Sequence, residues 1–67
     1  MEKTITLAGQ QFNLATTYDG DSQYHVQLRN GEQVLHSFKI AAETEQDVIP
    51  AAMAHLQADL AMGNLQL

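Results

Sequence analysis

The hydrophobic period changes once along this chain, and that change limits what it can fold into. Through the first forty residues apolar and polar side chains alternate, with a period of two. Over the last twenty, apolar residues recur about every 3.6 positions, the period of an α-helix. Alternation puts half of a strand's side chains on one face of a sheet; the longer period gives a helix one apolar stripe. Strands are predicted over 4–8, 11–18, 23–29 and 33–40, and a helix over 48–62. The connections between strands are short, so neighbours in sequence are neighbours in the sheet. The expected architecture is α+β in two layers: a four-stranded antiparallel meander with one C-terminal helix on one face, forming a single domain over 1–67.

The turns test this scheme. Gly9-Gln10 suits a two-residue type II′ turn, because glycine adopts a positive φ at the first central position at little cost. That turn pairs Leu7 with Phe12 and Ile5 with Leu14. Tyr18 to Ser22 is a polar connection that should face water. At Asn30-Gly31 two cues conflict. A two-residue turn there would set Val26 opposite Leu35 and send Val34 and Phe38 outward. A three-residue loop, Arg29 to Gly31 with Gly31 left-handed, pairs Val26 with Val34 and Tyr24 with His36. A one-residue slip exchanges the faces of a whole strand, and Val34, Phe38 and Ile40 carry more apolar area than Leu35 alone. The three-residue loop is therefore the expectation.

Thr44 and Asp47 have the spacing of a capping box, but a start at Thr44 would leave Pro50 well inside the helix. Asp47 as N-cap puts Pro50 in the first turn, where a missing N–H costs little. Ile49, Ala52, Met53, Leu56 and Leu60 then form the stripe that covers the sheet. Gly63-Asn64 supplies the stop.

Composition narrows the function. The 67 residues contain no cysteine, so neither a disulfide framework nor a thiolate metal site is available. Eight acids against three bases give a formal charge of -5 and argue against direct nucleic-acid binding, which needs clustered Lys and Arg. No apolar run approaches the ~20 residues that span a bilayer, and no basic segment precedes an apolar one. The expectation is a cytoplasmic protein with no membrane contact.

Few residues suggest chemistry. His25, His36 and His55 include no pair at helical spacing, no carboxylate is expected at a motif distance from them, and they are read as packing residues, with no metal and no cofactor. Asp19-Gly20-Asp21 opens like a calcium loop, but the positions needing Gly and Glu hold Tyr24 and Asn30. Ser22 and Ser37 lack a nucleophile-elbow context, and no glycine-rich loop precedes the helix. The chain is read as no enzyme and as having no small-molecule substrate.

Two surfaces stand out instead. Glu43, Glu45 and Asp47 form an acidic patch before the helix, where the helix dipole also favours carboxylates. Behind the helix, Ala51, Ala54, Ala58 and Ala61 form a stripe of small residues beside His55 and Met62, with Leu65 and Leu67 extending the apolar surface. From 48 to 62 the only polar side chains are His55, Gln57 and Asp59, fewer than a solvated helix carries. On the sheet's outer face, Thr4, Thr6, Gln11, Asn13, Thr17, His25 and Gln27 make a carpet that is uncharged apart from its histidine.

The expected function is a small acidic, non-catalytic protein–protein interaction module, homodimeric or docking on a larger protein. The alternative is an inhibitor that occupies the basic surface of a nucleic-acid-binding protein. In outline alone, a compact meander with a helix resembles some phage-encoded inhibitors, including certain anti-CRISPR proteins. A third reading is a ligand or metal binder beneath the helix, around His36 and Tyr24.

Overall fold

In the computed structural model, which describes residues 1–66, the elements follow in the expected order. They are β1 (Glu2–Leu7), β2 (Gln10–Gly20), β3 (Gln23–Asn30), β4 (Gln33–Ala41) and α1 (Glu45–Met62). The strands form one antiparallel sheet in the order β1-β2-β3-β4, and α1 packs on one face. Strand parity falls as the alternation requires. Ile5, Leu7, Phe12, Leu14, Tyr24, Val26 and Leu28 point into the core, where they meet Val48, Ala52 and Leu56 of the helix. Among the described residues no helix is long and apolar enough to cross a membrane.

The registers differ from the sequence expectation at the first and third hairpins. In the first, Ala8-Gly9 forms the turn, with φ of 53° and 78°, and Ile5 faces Phe12 rather than Leu14. Two positive φ values give a turn whose twist suits a hairpin. The slide is two residues, so every side chain keeps its face, and parity cannot distinguish these registers.

At the third turn the loop is Gly31-Glu32, and a β-bulge lies beside Leu28 and Arg29. Leu28 pairs with His36, Val26 with Phe38 and Tyr24 with Ile40, so His36 lies beside Leu28 and not Tyr24. Leu35 is the extra residue and packs against the core, whereas Val34 is 45% exposed. The expected burial of Val34 assumed unbroken alternation. One inserted residue resets the parity and resolves the conflict between turn and core.

Between β2 and β3, Gly20, Asp21 and Ser22 all have positive φ, and the ladder runs further toward the turn than expected. Lys39 reaches across to Asp19 at 2.8 Å. That hydrogen bond, followed by the charge attraction, lowers the Asp19 carboxyl below its ordinary range.

The helix begins one turn earlier than expected. Thr44, not Asp47, is the N-cap: its backbone is extended and its Oγ1 accepts from the Asp47 N–H at 3.3 Å. Pro50 therefore lies inside the helix. Pro50 and Gln46 are both exposed, so water can serve the Gln46 carbonyl that lacks a donor. The earlier start also gives Glu45 a partner, Thr16 Oγ1, which donates to its carboxylate at 3.3 Å. Gly63 ends the helix in the left-handed region at φ 78°, as expected, and its N–H reaches the Asp59 and Leu60 carbonyls.

The face of α1 turned to the sheet is rotated from the expected stripe. Val48, Ala52, Leu56 and Asp59 lie at its centre, while Ile49, Met53 and Leu60 flank it half-buried. Leu65 folds back into the core at 5% exposure and adds nothing to the outer surface. Leu67 lies outside the described residues.

Candidate functional site

The outward side of α1 is built by default. Ala51, Ala54, Ala58 and Ala61 are exposed, and Met62 is 67% exposed. Asp59 is the one charged residue between 48 and 62, and it turns toward the sheet. The solvent side of this segment consequently carries no charge.

The three acids before the helix do not act alike. Asp47 Oδ2 accepts from the Thr44 hydroxyl at 2.9 Å, within the cap. Glu45 takes the Thr16 hydroxyl and lies 3.6 Å from the Met1 amino nitrogen. Glu43 is exposed. Glu45 thus ties the start of the helix to β2, and Asp47 closes the cap.

Asp59 makes the most pointed arrangement of side chains. It is 8% exposed, and its Oδ2 receives two imidazoles. His36 Nε2 comes from β4 at 3.0 Å and His55 Nε2 comes from one turn earlier on α1 at 3.1 Å. An ionised carboxylate only accepts, so it is served when both rings present Nε2–H. His55 lies flat on Phe38, with ring centres 4.1 Å apart and planes 18° apart, and His36 stacks more loosely behind it. The site sits where the helix crosses the edge strand β4. His36 and His55 are both half-buried, which leaves the cluster open to small ions.

His25 lies on the opposite face of the sheet, paired with Thr17 and Lys39, and takes no part. Tyr24 stacks edge-on with Tyr18 at 5.1 Å and is also outside the cluster. The expectation that no carboxylate sits at a motif distance from a histidine is corrected here: His55 and Asp59 have i, i+4 spacing, visible in the sequence, and meet on one helix face. The contribution of His36, twenty-three residues from Asp59, has no signal in the sequence.

A shallow depression of about 220 Å³ lies on the outer sheet face, lined by Thr4, Gln11, Asn13, Arg29 and Asn30 among others. Arg29 Nε is buried and has no hydrogen-bond partner among the described residues. No protein-family model, curated protein or solved structure matches this chain.

Proposed function

We propose that this chain is a non-catalytic protein–protein interaction module that works through the outward face of α1, as a homodimer or against a larger protein. The observation that supports this is the inward turn of Asp59, which leaves Ala51, Ala54, Ala58, Ala61 and Met62 in an uncharged exposed face. Two chains of charge -5 repel over most of their surfaces, and an uncharged face is where a second copy approaches at least electrostatic cost. Small side chains let helix axes come near the short end of the usual range, ~8 Å. Cytoplasmic residence belongs to the same proposal.

The test is light-scattering mass of the full chain beside Ala54→Glu and Ala58→Glu. A mass twice the monomer's that each substitution halves supports the reading. So does capture of a stoichiometric protein partner that each substitution abolishes. A monomer whose partner capture is insensitive to both substitutions overturns it. The acidic-inhibitor reading rests on the -5 charge alone, since Glu45 and Asp47 are engaged at the helix start. It predicts a basic partner released by salt.

A further inference from the structure

We propose that His36, His55 and Asp59 form a zinc(II) site that ties the edge strand β4 to α1. The donor set is two imidazole nitrogens and one carboxylate oxygen, which zinc accepts together. The three donor atoms all lie within 4.8 Å of one another. Bonds of ~2.0–2.2 Å in a tetrahedral site place donors about 3.3 Å apart. The Asp59 Oδ2 separations, 3.0 Å to His36 and 3.1 Å to His55, are already near that spacing. Three protein ligands leave a fourth position for water, reached from the half-exposed side of His55.

Burial gives a second, independent argument. A carboxylate removed from water needs compensating partners. Among the described residues Asp59 makes ion-pair contacts with the two histidines only, while Lys39 is committed to Asp19. A divalent ion supplies a positive charge directly on this carboxylate. The stacking of His55 on Phe38 holds one ligand ring in place before the ion arrives.

Binding changes the proton arrangement in a defined way. With zinc absent, a proton on Nε2 of either ring serves the carboxylate: His36 is hydrogen-bonded to Asp59 Oδ2 at 3.0 Å, and His55 Nε2 lies in ion-pair contact with it at 3.1 Å. To ligate, each ring must offer its Nε2 lone pair, so its proton moves by exchange with water to Nδ1. The metal then replaces the His36 hydrogen bond and the His55 contact to Asp59 with three coordinate bonds, made by neutral imidazoles. This inference does not depend on whether the helix face self-associates.

The experiment is zinc chloride titration of the chelator-treated full chain, by calorimetry and by imidazole ¹⁵N NMR. One zinc per chain is expected, with His36 and His55 moving to the Nδ1–H form and His25 unchanged. At a hundredfold excess over Kd, Tm should rise by roughly 10–20 °C and return on adding EDTA. His36→Gln, His55→Gln and Asp59→Asn should each weaken binding more than about tenfold, and His25→Gln should not. His55 is more exposed than Asp59, so His55→Gln keeps a folded variant in the set even if Asp59→Asn unfolds. No zinc uptake at millimolar concentration overturns the proposal. One zinc per two chains, or affinity unchanged in both His36→Gln and His55→Gln, also overturns it.

Discussion

Leu56 is the residue on which α1 is anchored, and truncating it tests the packing directly. Its side chain is 0% exposed, as are Leu14, Val26 and Leu28 of the sheet and Val48 and Ala52 of the helix. Leu56→Ala removes three carbons, worth about 2.4 kcal/mol at ~0.8 kcal/mol each. The cavity left behind adds to this, because neighbours relax only partly, and brings the loss to about 3–4 kcal/mol. A domain of this length has a total stability of roughly 3–10 kcal/mol. The substitution therefore takes a large share of what holds the fold together. Urea unfolding followed by circular dichroism reads it: at a slope of ~1 kcal/mol/M the midpoint should fall by about 3 M, or the variant should be unfolded in water. Leu60→Ala, at a half-buried flanking position, should cost clearly less. A loss below ~1 kcal/mol for Leu56→Ala would refute the packing of α1 on the sheet, and a larger loss for Leu60→Ala than for Leu56→Ala would refute the rotation of the helix described above.

Two further outcomes follow from the turns. Ala8 adopts a φ of 53°, a region that costs an L-residue with a Cβ roughly 1–2 kcal/mol. Ala8→Asn creates Asn-Gly, the preferred pair for such a turn, and should raise stability by about 0.5–1 kcal/mol in the same urea assay; a fall would refute the two-residue turn at Ala8-Gly9. Asp19 should titrate below its ordinary value of 3.8 because Lys39 hydrogen-bonds to its charged form. A depressed carboxyl stabilises the fold above its unfolded pKa, and this is lost as pH falls through the lower folded value, so the effect is confined to acid. Carboxyl NMR should show the midpoint return toward 3.8 in Lys39→Gln, and an unmoved midpoint refutes the contact.

What the sequence determined is whatever local periodicity and backbone chemistry can fix. Alternation set the faces of Ile5, Leu7, Phe12, Leu14, Tyr24, Val26 and Leu28, and Gly63 set the helix stop. Both depend on residues within a few positions of one another. What only the tertiary structure decided is each feature that depends on a partner far along the chain. The first hairpin slid by two residues, a shift to which parity is blind. The bulge at Leu35 exchanged Val34 for Leu35 at the core. The contact of Glu45 with Thr16 and the burial of Val48 accompany a helix start that Pro50 alone disfavours. Rotation of α1 against the sheet then turned Asp59 inward and brought it to His36. Helical spacing already placed His55 beside Asp59, but the third member of the cluster comes from another strand. A one-dimensional pattern carries no distance between β4 and α1, and that distance makes the cluster.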